Sequence, residues 1–195
     1  MIKVINEFVF LDNYSSYNKQ MNNHIKKKGI VFWVTGLPGS GKTTIAKKLK
    51  KPIEKIYGKT ILISGDDLRK ILNFKNYDVK KRLLYAKSYS KLVNFISKQN
   101  INVIIATVSL FKEIHIWNKK NIKNYCEIYI KSKTREIIKN KKKKLYFKIK
   151  KNLVGIDINP EFPLKPSIQI SNNFNKTVDN LSKSILKKIN LLYKN

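Results

Sequence analysis

The chain has 195 residues, 42 of them Lys or Arg against 12 Asp or Glu, for a formal charge of +30. That length suits one α/β domain with a full core, no run of about 18 apolar residues is present for a membrane helix, and no basic-then-apolar leader precedes a small-residue cleavage site, so a cytoplasmic protein without a membrane partner is expected. The single cysteine, Cys126, excludes an internal disulfide and a multi-cysteine metal site, and its apolar neighbours mark a buried, inert thiol.

Residues 1–28 are a mixed polar prelude around a short apolar stretch at 8–11, read as an extension of unassigned role, and the catalytic domain is placed at 29–195. From Gly29 onward short β-rich runs alternate with longer amphipathic ones, the pattern of parallel strands joined by crossover helices. The first strand is read at 30–35, and it runs directly into Gly36-Leu37-Pro38-Gly39-Ser40-Gly41-Lys42-Thr43, which fits the phosphate-binding pattern G-x-x-x-x-G-K-[ST]. Three of the chain's seven glycines fall within these six positions from Gly36 to Gly41, because backbone N–H groups wrap a phosphate only where no Cβ blocks the approach. Lys42 is positioned to reach the β and γ phosphates of a triphosphate such as ATP, and Thr43 to offer a hydroxyl to Mg²⁺. The segment from Thr44 to residue 51 begins a helix whose N-terminal dipole faces the anion.

The second strand, 60–64, leads into Ser64-Gly65-Asp66-Asp67-Leu68-Arg69. In a doubly wound sheet that strand end shares a crevice with the phosphate loop. A carboxylate there orients Mg²⁺ or takes the proton of an attacking hydroxyl, and an arginine gives an anionic acceptor a bidentate partner. Either Asp66 or Asp67 is also suited to cap the helix that follows. Asp78 caps a long helix through residue 98, with Leu83, Ala86, Leu92, Val93 and Ile96 on its apolar positions. Further strands are read at 102–107, 125–130 and 167–170. The lysine-rich block 139–144 reads as a solvated helix end, or as a mobile basic segment able to close over ATP. Thr177 or Asp179 starts a last helix whose Leu181, Ile185, Ile189 and Leu192 form a core-facing stripe. His24 carries no argument, and His115 reads as a surface or internally satisfied histidine.

The ordered set of segments resembles the adenylylsulfate kinase family over about residues 29–170. The matching pieces are GLPGSGKTT from Gly36, SGDDLR from Ser64, VIIATVSLF from Val103, EIYIK from Glu127, the Leu145-Tyr146 pair and VGID from Val154. The resemblance implies a P-loop fold with a five-stranded parallel sheet and helices on both faces. It also implies ATP and Mg²⁺ as cofactors, a homodimer, and transfer of the γ-phosphate of ATP to the ribose 3′-hydroxyl of adenylylsulfate or a related nucleotide. By the same resemblance Lys42, Asp66 and Ser109 are catalytic and Thr43 and Asp66 hold the metal. Arg69, Phe74, Arg82, Ser109, Leu145, Tyr146, Gly155 and Ile156 would then contact the acceptor, with Phe74 packed on its base. Ser109 is read as a polar contact near the transferred group, since in-line transfer requires no phosphoserine.

Three departures set this chain apart. Ser64-Gly65-Asp66 stands where the family reads Asp-Gly-Asp, Asp78-Val79-Lys80-Lys81-Arg82 replaces Asp-Arg-x-x-Asn, and Asn140 to Lys144 replaces Arg-Asp-x-Lys-Gly. The stretch from Ser109 to His115 with Trp117 to Lys120, and Arg82, is similar to a capsule-polysaccharide branch whose members resemble cytidine diphosphoramidate kinases.

The charge keeps a second class open, a non-catalytic polyanion-binding module that retains the loop, since clustered cations bind phosphate backbones by releasing counterions. Against it, only Arg69, Arg82 and Arg135 are arginines, and the 39 lysines are spread along the whole chain. Specific readers of nucleic acid lean on the planar arginine fork, so no specific nucleic-acid partner is expected, only salt-sensitive adhesion to polyanions. A regulatory NTPase using water as acceptor ranks lowest, because no glutamine or arginine is assignable to water activation.

Overall fold

Residues 31–35 are apolar or β-branched at every position, which leaves the first strand no face to give to water. The fold answers by burying it from both sides, as all-parallel sheets do. In the computed structural model, which describes residues 29–74, 78–142 and 153–193, β1 (Val31–Gly36) occupies the centre of a five-stranded parallel sheet. The order is β2-β3-β1-β4-β5, with β2 at Thr60–Ser64, β3 at Asn102–Ala106, β4 at Tyr125–Lys131 and β5 at Ile168–Ser171. Each strand lies within one residue of its expected bounds. The prelude 1–28 lies outside the described residues.

The pleat sends Phe32 and Val34 to one face and Val31 and Trp33 to the other. Helices α1 (Lys42–Tyr57) and α6 (Val178–Tyr193) cover the first face with Ile45, Leu49, Ile53, Leu181, Ile185 and Ile189. On the opposite face α3 (Val79–Lys98) and α4 (Lys112–Asn121) supply Ala86, Val93 and Ile114, and the short α2 (Gly65–Ile71) adds Leu68. Asp78 caps α3 through its carboxylate, which accepts from the Lys81 N–H at 2.9 Å. Thr177 rather than Asp179 starts α6, its hydroxyl accepting from the Asn180 N–H at 3.2 Å. A one-turn α5 (Thr134–Ile137) runs into a wide π-helical turn at Ile138–Lys142, and the remainder of the basic block lies outside the described residues.

One helix runs further than its sequence suggests. Helix α1 continues through Pro52, where an interior proline costs about 3 kcal/mol. Ile45, Leu49 and Ile53 are each fully buried along that helix, and such side chains contribute roughly 1.5–3 kcal/mol apiece, so packing outweighs the lost hydrogen bond.

Beyond the sheet's C-terminal edge a third apolar cluster of Leu37, Leu110, Ile137, Leu153 and Val154 seals the base of the phosphate loop. The loop is also tied to the far end of the chain. Asn172, just past β5, donates from its amide to the Ser40 carbonyl at 2.9 Å, while the same amide's oxygen accepts from the Phe174 N–H at 3.1 Å. The Ser132 hydroxyl, donating to the Asn172 carbonyl at 2.8 Å, fixes the backbone there. Nothing in the local sequence announces this brace, since its partners are 132 residues apart.

Two outcomes follow from this packing. Burial in the α6 interface pushes the Cys126 thiol from its ordinary 9.0 up to about 12, so iodoacetamide at pH 8 should label the protein only after denaturant unfolds it. In the unfolded chain the same thiol ionises near 9, so it contributes stability below that pH that is lost as pH rises from about 9 to 12. Asn172→Ala should accelerate amide hydrogen exchange in residues 36–43 by roughly five- to tenfold, the size of one lost buried hydrogen bond. Unchanged exchange would show that the loop is held by other contacts.

Candidate active site

The ends of β1, β2 and β3 open on a cavity of about 690 Å³ at the C-terminal edge of the sheet. That is where ligands sit in open α/β sheets, beside the strand at which the chain reverses its direction of winding. Pro38, Gly39, Gly41, Lys42, Thr43 and Thr44 line it from the phosphate loop. Gly36, Leu37 and Ser40 belong to the same loop but are buried beneath it. Gly41 is the N-cap of α1 with φ +93, a left-handed conformation that leaves the following N–H groups aimed out of the helix. Lys42 is 7% exposed, and its ammonium donates to the Leu37 carbonyl at 2.7 Å, so the cation is drawn into the ring of the loop.

The β2 end supplies the carboxylate. Ser64, not either aspartate, is the N-cap of α2: its hydroxyl accepts from the Asp67 N–H at 3.1 Å and donates to the Asp67 carboxylate at 2.6 Å. That reciprocal pair corrects the expectation that Asp66 or Asp67 does the capping, and it gives a physical reason for a serine where the family reads aspartate. It also occupies Asp67. Asp66 is left in the cavity wall, with its side chain 75% exposed and ion-paired to Arg69 one turn on. Gly65 rests on the Thr107 side chain, and the Thr107 and Ser109 hydroxyls share a hydrogen bond of 2.8 Å at the end of β3. Both of these residues line the cavity.

Helix α3 contributes Arg82, Tyr85 and Tyr89, spaced to share one face. The two tyrosines were legible only as that spacing beside Arg82, and neither was singled out from the sequence. Phe74 is not in the cavity wall. Its ring stacks on Tyr85 with centroids 3.7 Å apart and planes 6° apart, and it packs against the core beneath α3. The VGID segment folds into a turn closed by the Asp157 carboxylate, which accepts from the Leu153 N–H at 2.7 Å. Gly155 in that turn has φ +90, and a Cβ there would lie 2.8 Å from the Leu37 side chain, so the turn seats directly on the phosphate loop. Leu153, Val154 and Ile158 reach the cavity, whereas Gly155 and the exposed Ile156 do not. Leu145 and Tyr146 lie outside the described residues.

His115 is buried and fully engaged. One ring nitrogen lies 2.6 Å from the Glu127 carboxylate and the other 3.0 Å from the Glu161 carbonyl. The Tyr125 hydroxyl also donates to Glu127 at 3.2 Å, and burial with that carboxylate beside it raises the Tyr125 phenol well above its ordinary value. Glu161 in turn accepts from the Lys112 N–H at 2.8 Å at the start of α4. The cluster pins the segment after the VGID turn to β4 and α4, so His115 serves the cavity's frame and not its chemistry.

The residues present fit a nucleoside triphosphate. The cavity is lined by Lys42, Arg69, Lys70 and Arg82 against one acidic side chain, Asp66, among the described residues, a balance that favours anionic ligands. Beneath the loop the buried Ser40 hydroxyl has no partner among the described residues. No group of three His, Cys, Asp or Glu that could hold a metal occurs among the described residues. A hard ion such as Mg²⁺ needs no such cage, because waters and phosphate oxygens complete its shell around one or two protein oxygens. Thr43 and Asp66 offer those two.

The family model for adenylylsulphate kinase matches residues 28–171. A cytidine diphosphoramidate kinase of Campylobacter jejuni is 36% identical over 171 residues, spanning 86% of this chain and 100% of that protein. An adenylyl-sulfate kinase of Clostridium acetobutylicum is 33% identical, spanning 80% of this chain and 83% of its own. Among solved structures, the Mycobacterium tuberculosis APS kinase CysC in complex with AMPPNP and APS superposes with a TM-score of 0.74 at 20% identity, over 84% of this chain and 98% of that one, a likeness of fold. With a glycine loop, a lone carboxylate and two arginines gathered on one cavity, and the family match extending over most of the sequence, the chain belongs to the adenylylsulphate kinase family and is a P-loop kinase of that kind.

Proposed function

We propose that the protein transfers the γ-phosphate of ATP to the ribose 3′-hydroxyl of a nucleotide acceptor, and that the acceptor is cytidine diphosphoramidate. The observation that carries the transfer is the opening of the glycine loop and the Asp66 carboxylate onto one cationic cavity. The choice of acceptor is supported by the 36% identity to the Campylobacter jejuni kinase over its whole length, and by Arg82, which stands in the cavity wall where the adenylylsulfate pattern has asparagine.

In this reading the loop amides and Lys42 hold the triphosphate, and Lys42 neutralises charge growing on the phosphoryl group in flight. Thr43 and Asp66 hold Mg²⁺, which when bound neutralises the phosphate oxygens. Asp66 aligns the acceptor hydroxyl and takes its proton as the new O–P bond forms and the bond to the ADP leaving oxygen breaks. Arg69 and Arg82 bind the acceptor's anionic groups, Arg69 shifting from its Asp66 partner as the acceptor arrives. Ser109, hydrogen-bonded to Thr107, is a polar contact near the transferred group. Most of the rate comes from positioning and from charges fixed in advance.

The direct test is incubation with ATP and Mg²⁺ and, separately, cytidine diphosphoramidate and adenylylsulfate, with mass spectrometry of the products. Phosphate should appear on the cytidine compound in preference to the adenylyl one, and the opposite preference would reverse the acceptor assignment. Lys42→Ala should remove nearly all transfer. Asp66→Asn should lower kcat by about 10²- to 10⁴-fold, the range for a positioned base, while isothermal titration still detects ATP binding. Near-normal turnover in the Asp66 variant would move the proton to solvent or to another group.

A further inference from the structure

Thr107 stands where three parts of the cavity meet. It follows β3 directly, and its N–H donates to the Val34 carbonyl at 3.0 Å, so its backbone is fixed to the central strand at a point two residues before the phosphate loop. One residue on, the Val108 carbonyl accepts from the Thr35 hydroxyl at 3.1 Å, which ties the segment to the same strand again. Gly65 lies against the Thr107 side chain, and a Cβ there would come within 3.1 Å of the Thr107 Oγ1 and 3.3 Å of its Cβ. The Gly65 carbonyl accepts from the Tyr89 hydroxyl at 3.4 Å, so the turn that carries Asp66 is tied to α3 as well as seated on Thr107. The third link is the 2.8 Å hydrogen bond between the Thr107 and Ser109 hydroxyls, both side chains being buried at the cavity wall.

The two hydroxyls are not equivalent. A β-branched side chain is stiff about χ1, and the Gly65 backbone bears on this one at both Cβ and Oγ1, whereas a serine hydroxyl turns among three staggered wells unless a partner holds it. Thr107 is therefore the fixed member of the pair and Ser109 the one that is aimed. One hydroxyl proton bridges the two oxygens, and Gly65 covers the Thr107 oxygen, so the hydrogen-bonding capacity left for a ligand is mainly that of Ser109. We infer that Thr107 is a positioning residue for phosphoryl transfer: its hydroxyl sets the direction of the Ser109 hydroxyl, and its contact with Gly65 sets the place of Ser109 relative to Asp66 and the phosphate loop. The inference rests on the kinase reading above and adds to it a residue that acts through Ser109. In-line transfer is degraded by a misplacement of about 1 Å, less than the swing of a serine hydroxyl between rotamers.

The test is initial-rate kinetics of phosphoryl transfer from ATP to whichever of cytidine diphosphoramidate and adenylylsulfate the unaltered protein phosphorylates, with variants paired so that each pair differs by one hydroxyl. Thr107→Val keeps the shape of the side chain without its hydroxyl and should lower kcat about tenfold, the size of one buried hydrogen bond, with the KM for ATP unmoved. Thr107→Ser keeps the hydroxyl and should stay within about threefold of the unaltered protein. Thr107→Ala lacks only the hydroxyl that Thr107→Ser retains, and it replaces the valine variant if that one does not fold. Ser109→Ala should also lower kcat, and in that background Thr107→Val should cost less than about twofold, because its effect runs through a group already removed. An unchanged kcat in both Thr107→Val and Thr107→Ala, a Thr107→Ser variant as slow as Thr107→Ala, a Ser109→Ala variant at the unaltered rate, or losses that multiply in full in the double variant overturns the role of Thr107 while transfer itself stands. If the unaltered protein phosphorylates neither cytidine diphosphoramidate nor adenylylsulfate, the kinase reading fails first and this inference falls with it.

Discussion

A phosphate loop works only if its peptide groups keep pointing at the anion when the anion is absent, and here the hydrogen bond from Asn172 to the Ser40 carbonyl holds that shape. The bond joins the first strand's loop to the residue after the last strand, so the cradle is built only once the whole sheet is in order. Around it Leu37 turns down into the apolar cluster that seals the base, Gly155 rests on Leu37 from the VGID turn, and Lys42 folds onto the Leu37 carbonyl. Remote parts of the chain thus converge on eight consecutive residues. This is preorganisation in its plain sense: the donors are set before the substrate arrives, so binding need not order them.

The acceptor side is built on a different compromise. With Ser64 in place of an aspartate, the start of α2 gains a cap that hydrogen-bonds Asp67 both ways, and among the described residues the carboxylate count facing the cavity falls to Asp66. One negative side chain against four cations among the described residues makes the cavity more attractive to anionic ligands than a two-carboxylate version would be. In the proposed reading Arg69 serves two partners in turn, its own Asp66 one helical turn back and the incoming acceptor. Tyr85, with the Phe74 ring stacked on it, completes this wall, and the His115–Glu127 cluster holds the segment that frames it.

What could be read from the sequence divides along a physical line. Most local signals were reliable: the strands, because a buried parallel strand is a continuous β-rich run; the glycine loop, because its chemistry dictates spacing; and the Asp78 cap, because a side chain bonds its own helix three residues on, the cap of α2 by Ser64 in place of an aspartate being the exception. Contacts decided by tertiary packing were not. The extension of α1 through Pro52 depends on which face it buries. Asn172 depends on a partner 132 residues away. Phe74 was singled out through resemblance to relatives, and the ring that lines the cavity is Tyr85, stacked on it from α3, a pairing no local signal announces. The formal charge of +30 drew attention to polyanions, yet among the described residues four cations line the cavity, two of them among the chain's three arginines, and it is to these that the proposed function assigns a role.

The central claim is that a triphosphate lies in the braced glycine loop with its terminal group directed at a hydroxyl held by Asp66. The most direct measurement is a crystal structure of the protein with a nonhydrolysable ATP analogue, Mg²⁺ and cytidine diphosphoramidate bound together. The account predicts the triphosphate wrapped by residues 36–43, with the acceptor's ribose hydroxyl hydrogen-bonded to the Asp66 carboxylate and in line with the γ-phosphorus. A triphosphate bound outside that loop, or an acceptor hydroxyl that points away from Asp66, would contradict it.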